Sequence, residues 1–333
     1  MADHIKLKYG VVCVWFLAAC LNKCVNGEPK VPCYFIFGDS MVDSGNNNNL
    51  ATRAKADYQP YGIDFPYGPT GRFTNGRTAA DIIGELMGFD SFIPPYLSAS
   101  GSQILKGVNY GSGSAGIRSE TAKLVGANID LTTQLQRHQA VISRIVGLLG
   151  SEELAMNHLN KCFYLFFYNT SKEYSPVQFA EVLIEEYKQK IVSLYNSGAR
   201  KVALTGIGQI GCTPNAIANY GTNGSSCVDY MNDAANLFNG NLKSLVDQLN
   251  NDLMDANFVY LDTYGTPFEY LSTRGLRIKL STCCKVNEYG LCIPEEAPCT
   301  FRNSYFFWDA FHPTQIVNQV GATTSYLILQ NIL

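Results

Sequence analysis

A short apolar run, Tyr34 to Phe37, stops abruptly at Gly38-Asp39-Ser40 and gives way to a polar tract that ends in four asparagines, Asn46 to Asn49. Consecutive apolar residues bounded by turn formers read as a strand buried on both faces, the kind found inside parallel sheets. In open α/β sheets ligands bind beyond the carboxyl ends of the strands. Ser40 stands at such an end and is a candidate nucleophile, although a serine that merely closes a strand is the commoner case.

The rest of the chain repeats the alternation such a sheet needs. Lys106–Tyr110, Cys162–Tyr168, Lys201–Thr205 and Phe258–Leu261 read as further strands. Helices are expected over Thr78–Met87 and Asp130–Leu149, and another opens at Ser175-Pro176 as N-cap and first-turn proline. Phe179, Leu183, Tyr187, Ile191 and Leu194 lie on one face of that helix, which Gly198 ends. Met231, Ala235, Phe238, Leu242, Leu245 and Leu249 mark one more, and a last helix follows His312 with Ile316 and Val320 inward. Strands alternating with helices imply an α/β fold: a parallel sheet of about five strands with helices on both faces. No linker, charge block or repeat marks a second domain. Asn46 to Phe73 reads as a long ordered loop that lines the cleft. His138 and His158 read as surface or packing histidines.

Near the far end, Asp309-Ala310-Phe311-His312 puts an acid three residues before a histidine. A neutral imidazole can accept a serine proton while a carboxylate on its other nitrogen fixes the tautomer. Alone, Asp309 reads equally well as a helix cap and His312 as a partly exposed polar residue. Together with Ser40 they make a candidate triad.

With both terminal motifs in hand, the chain resembles the plant GDSL esterase/lipase family of the SGNH hydrolases. The likeness extends through Gly71-Arg72-Phe73-Thr74-Asn75-Gly76-Arg77, Gly107 to Ile117, and Gly206 to Pro214, and covers almost everything after the first residues. It implies a flavodoxin-like three-layer sandwich, with Ser40 as nucleophile, His312 as base and Asp309 as its orienting acid. It also implies the backbone N–H groups of Ser40 and Gly113 as oxyanion donors; the glycines around Gly113 otherwise read as a tight turn. The Gly-x-Ser-x-Gly elbow of α/β-hydrolases is absent. No cofactor and no metal are expected. The implied partner is a small-molecule or lipid ester, acting on a monomer.

The resemblance also exposes a gap. The family's third oxyanion donor is the Asn of a Gly-x-Asn-Asp motif behind the strand equivalent to Cys162–Tyr168. Here Tyr168 runs directly into Asn169-Thr170-Ser171 and the next helix, so the piece carrying that Asn reads as deleted. Asn169 is a possible surrogate donor, but a loop residue or glycan acceptor is the simpler reading. The reaction expected is hydrolysis of carboxylic esters through an acyl-enzyme, weakened by the lost donor. Acyl transfer by the same triad, or a catalytically impaired binding protein on the same fold, remain open.

Residues 1–27 read as a secretory signal. Lys6 and Lys8 precede an uncharged run, Tyr9 to Leu21, too short to span a bilayer, and Val25-Asn26-Gly27 offers a cleavage site. Residues 28–333 are then one secreted domain. A net charge of −3 gives no basic footprint for nucleic acid. Eight cysteines follow the leader, an even number that suits disulfides in an oxidising compartment. The cluster from Cys283 to Cys299 lacks a histidine and the usual zinc spacing. Cys33 and Cys162 begin strands that the family topology makes neighbours, and Cys212 and Cys227 flank one loop; these are the expected pairs. The sequons at Asn169 and Asn223 are candidate glycan sites.

Overall fold

The computed structural model describes residues 28–121, 125–168, 176–265 and 278–333, with backbone only at 176–179. The expected signal segment and Asn169 lie outside the described residues. Strands β1 (Tyr34–Gly38), β2 (Phe163–Phe167), β3 (Lys201–Thr205) and β4 (Asn257–Leu261) form one parallel sheet in that order. Helices α1 (Ala79–Leu86), α2 (Leu131–Leu149), α3 (Glu152–Leu159), α4 (Pro176–Asn196), α5 (Pro214–Tyr220), α6 (Asp229–Asp252) and α7 (Gln315–Leu329) surround it. A small parallel pair, β5 (Lys279–Thr282) and β6 (Tyr305–Phe307), stands apart from that sheet.

The sheet divides its side chains with the period of two that strand geometry imposes. Phe35, Phe37, Tyr164, Phe166, Val202 and Leu204 pack with residues of α2, α4 and α6. Tyr34, Ile36, Phe163, Leu165 and Ala203 face Ile82 and Ile83 of α1 and Ala322, Tyr326 and Leu329 of α7. Both faces are therefore covered, which is why the strands read as continuous apolar runs. The three-layer expectation holds.

One strand expectation needs correction. Lys106–Tyr110 is not a full strand: it touches β1 through a single parallel bridge, Ile36 to Asn109. Gly107 adopts φ 122°, and a Cβ there would lie 1.9 Å from the Tyr34 carbonyl oxygen. The Val108 carbonyl and the Tyr110 N–H bond Ile36 of β1, and on the other side the Asn109 N–H donates to the Pro94 carbonyl, 2.9 Å away. The segment still occupies the edge position next to β1, so the chain visits the sheet as second, first, third, fourth, fifth. That order reverses direction beside β1 and places the ligand crevice there. The inward face of α7 also differs by a residue: Val317 and Val320 are buried, and Ile316 only partly so.

Helix α1 is pinned by a buried ion pair that the sequence did not advertise. Arg72 grips Asp81 with two 2.7 Å hydrogen bonds, and Thr78 closes a capping box with the same carboxylate. Burial pushes the Asp81 carboxyl up, yet the Arg72 charge and the bonds from Arg72 and Thr78 hold it below the usual range. Replacing Arg72 with methionine should cost about 3–5 kcal/mol, because it strands a buried charge. Urea denaturation checks this, and a loss under 1 kcal/mol would show that the pair is not holding α1.

His138, expected as an ordinary histidine, is fully buried on α2. Its ring sits edge-on to Phe35 and Phe37, and its Nδ1 lies 3.0 Å from the Tyr110 hydroxyl. Burial pushes its pKa down to about 3. Between the ordinary value near 6.5 and that depressed one, only the unfolded chain binds the proton. The native state therefore loses stability as pH falls through that window, by roughly 1.4 kcal/mol per pH unit from this group. His138→Gln should flatten the acid side of the stability curve between pH 6.5 and 4. Parallel curves for the two proteins would contradict this.

All eight cysteines among the described residues are paired. Cys33–Cys162 and Cys212–Cys227 form as expected, and the cluster resolves into Cys283–Cys299 and Cys284–Cys292.

Candidate active site

Ser40 reaches its position because Gly38 lets two strands meet. A Cβ at Gly38 would lie 2.4 Å from the Phe167 carbonyl oxygen, so only glycine fits there. Gln134 of α2 bonds both the N–H and the C=O of Gly38 at the end of β1. Asp39 then starts a tight turn: its carbonyl accepts from the N–H groups of Val42 and Asp43, and its carboxylate from that of Met41. Ser40 is left half-buried at the rim, and its N–H has no partner among the described residues.

The asparagine tract explains itself at this point. Asn46 donates to the carbonyls of Asn109 and Gly111, and Asn47 to those of Ala54 and Gly113. Both are buried, and each amide satisfies two backbone oxygens that would otherwise be stranded away from water. Asp43 adds three N–H acceptances, from Gly45, Asn46 and Gly113. Burial raises the Asp43 pKa to about 6 in spite of those bonds. Gly113, the implied oxyanion donor, thus directs its N–H to Asp43 Oδ2 at 2.8 Å.

Asp309 and His312 sit on a loop that the acid itself shapes. Asp309 Oδ1 accepts from the N–H groups of Phe311 and His312, each at 2.8 Å, which folds the loop back so the imidazole meets the carboxylate. His312 Nδ1 lies 2.8 Å from Asp309 Oδ2, and its Nε2 lies 2.7 Å from Ser40 Oγ. Asp309 is fully buried, and the Phe73 ring packs against the imidazole with centroids 4.9 Å apart. The three residues named from the two ends of the chain therefore come together in one hydrogen-bonded line. That geometry lets Ser40 lose its proton to His312 as Oγ attacks an electrophile.

A cavity of about 310 Å³ opens at the carboxyl ends of β2, β3 and β4. Met41, Phe311 and Pro313, neighbours of the triad, line it together with Phe167, Leu261 and Val317. Its wall is mainly apolar.

The GDSL-like Lipase/Acylhydrolase family model matches residues 34–322. The chain belongs to the GDSL lipase/acylhydrolase family. An Arabidopsis thaliana GDSL esterase/lipase is 45% identical over 340 residues, spanning 96% of this chain and 93% of its own. A second from the same plant is 44% identical over 339 residues, spanning 95% and 94%. Both alignments are longer than the 333-residue chain, so these relatives carry residues that it lacks. A solved phospholipase A1 from Streptomyces albidoflavus NA297 matches with a TM-score of 0.38 at 13% identity, over 90% of this chain and 98% of that one. That likeness is too loose to bear on mechanism. As a GDSL family member the chain is a hydrolase acting on ester bonds.

Other sequence expectations fall around this GDSL site. Asn223 is exposed in a turn at φ 50°, where a glycan would meet no obstruction from burial. Among the described residues, Cys33, His158 and Cys162 form the one group close enough to hold a metal, and there the two sulfurs are bonded to each other. No helix among the described residues is long and apolar enough to cross a membrane. Sequence reasoning missed Gln134, Asp43 and Tyr61, whose hydroxyl lies 2.6 Å from Asp309 Oδ2. Asp43 stood inside the recognised motif without a role. Tyr61 gave no signal beyond its place in a loop read as lining the cleft.

Proposed function

We propose that this chain is a secreted serine esterase that cleaves lipid or other acyl esters through an acyl-enzyme on Ser40. The observation that carries the reading is the continuous line from Ser40 Oγ to His312 Nε2 and from Nδ1 to the buried Asp309. Ser40 Oγ attacks the carbonyl carbon and passes its proton to Nε2. The tetrahedral intermediate then expels the alcohol, which leaves with that proton. Water repeats the sequence on the acyl-enzyme and frees the acid. An alcohol in place of water would give acyl transfer by the same groups.

The Ser40 N–H, without a partner among the described residues, receives the developing oxyanion in this reading. Gly113 contributes its N–H only where it can be shared with Asp43. The family's side-chain donor is missing, and the longer relatives support a deletion. Turnover is therefore slow rather than absent. The apolar cavity beside Met41 and Phe311 suits an acyl chain. Residues 1–27 act as a signal peptide, 28–333 as one domain, and the four disulfides suit an oxidising compartment. Glycans at Asn223, and at Asn169 if exposed, would follow from that route.

Turnover of short- and long-chain p-nitrophenyl esters by the secreted protein tests this reading, with fluorophosphonate labelling in parallel. Labelling at Ser40 with slow ester cleavage is expected. An unlabelled, folded protein would instead favour a binding protein that keeps the family's cleft.

A further inference from the structure

The triad's acid is held by more than the histidine loop. Asp309 Oδ1 is occupied by two backbone N–H groups of that loop, while Oδ2 meets both His312 Nδ1 and the Tyr61 hydroxyl. Tyr61 comes from the long connection between β1 and α1, 248 residues earlier in sequence, and it is completely buried. Burial, and next the Asp309 charge, push its hydroxyl well above the ordinary tyrosine range, so it stays protonated and donates.

Tyr61 is itself clasped from behind. Its oxygen accepts from the Cys292 N–H at 3.1 Å, and the Tyr58 hydroxyl donates to the Cys292 carbonyl at 2.9 Å. Both backbone polar groups of Cys292 are thus bound by one short turn of chain, and Cys292 is tied to Cys284 by a disulfide. Tyr61 also stands edge-on to Tyr58 and to Phe73, the ring that packs on His312. Loop, disulfide and triad form one connected assembly.

We infer that Tyr61 is a positioning residue of the triad, donating to Asp309 Oδ2 so that the carboxylate keeps the plane and basicity His312 needs. The inference rests on the triad reading above. Two consequences follow from the chemistry. The second donor fixes the Asp309 carboxylate against rotation, so its loss lets Nδ1 and Oδ2 drift and slows proton transfer from Ser40. It also draws off part of the carboxylate's charge. Without it the carboxylate's charge is concentrated on the oxygen that meets His312 Nδ1, and the balance between the two bonds at Oδ2 is lost.

The test compares Tyr61→Phe with Tyr58→Phe, which breaks the partner bond to Cys292 but none to Asp309. Tyr61→Phe should lower kcat on a p-nitrophenyl ester about 10- to 100-fold with little change in KM, as for loss of a hydrogen bond to a charged group. Tyr58→Phe, one bond further from Asp309, should lose stability in urea and lower kcat much less than Tyr61→Phe. The His312 imidazole, one of four histidines in the chain, can also be followed by NMR without turnover. Its Nδ1–H resonance, set by the bond to Asp309, should move far more in Tyr61→Phe than in Tyr58→Phe. Lack of activity in the unmutated protein would defeat the esterase reading, while the NMR shift would still decide the Tyr61 role. Wild-type kcat with an unmoved Nδ1–H resonance in Tyr61→Phe, or equal changes in both variants, would overturn it.

Discussion

Ser40→Ala is expected to remove ester cleavage almost completely, with kcat falling on the order of 10⁴- to 10⁶-fold. Ser40 Oγ is the atom at the end of the histidine's 2.7 Å reach, and alanine leaves His312 Nε2 with nothing to deprotonate. His312→Ala should cost as much, because the hydroxyl alone is a weak nucleophile at neutral pH. Asp309→Asn should cost a similar amount or less, since it reverses the histidine tautomer and leaves the base in place. The Phe311 and His312 N–H groups that donate to Asp309 Oδ1 could still meet the amide oxygen, so the loop should survive that change. The three losses should not add, because the residues act as one relay: the Ser40→Ala/His312→Ala double variant should match Ser40→Ala. Steady-state kinetics and fluorophosphonate labelling of each variant read this out. Wild-type turnover in Ser40→Ala would show that another residue is the nucleophile.

Inserting a family-type Gly-Ser-Asn-Asp connection after Tyr168 should raise kcat at least tenfold, towards the 10²–10³ that one oxyanion donor typically contributes. The structure places that insertion point well. Gly38 pairs with Phe167 in register, and the Asp39 N–H donates to the Phe167 carbonyl at 3.1 Å. The chain leaving β2 therefore starts beside the nucleophile's own turn. Tyr168 is fastened there by its hydroxyl, which donates to Gln134, the residue that also holds Gly38. An asparagine a few residues on could reach the oxygen that develops charge as Ser40 attacks. Its benefit appears only in the transition state, so kcat should rise with little change in KM. The commitment of the Gly113 N–H to Asp43 makes a third donor more valuable. Equal turnover in both proteins, with Asn169→Ala inactivating the shorter one, would show that Asn169 already supplies the donor.

What the sequence determined by itself was everything with a local physical cause. Strands β1 to β4 were legible because a sheet covered on both faces demands unbroken apolar runs, and α2, α4 and α6 because one buried face recurs every three or four residues. The triad was legible for a related reason. Ser40 must follow a strand end, and Asp309 both orients His312 and caps the turn that carries it, a job done within four residues. Of the two expected disulfides, Cys33–Cys162 followed from the strand adjacency that the family topology implies, and Cys212–Cys227 from two cysteines flanking one loop. Tertiary structure alone decided the rest. The edge strand is a single bridge, and Gly107 comes so close to the Tyr34 backbone that a Cβ would lie 1.9 Å from its carbonyl oxygen. The Gly113 amide went to Asp43, seventy residues away, and the Tyr61 hydroxyl to Asp309, 248 residues away. Arg72 found Asp81 in the interior, where a salt bridge has no period to betray it. A hydrogen bond between distant residues leaves no pattern in either segment. It is set only when packing brings the two surfaces together and excludes the water that would otherwise satisfy them.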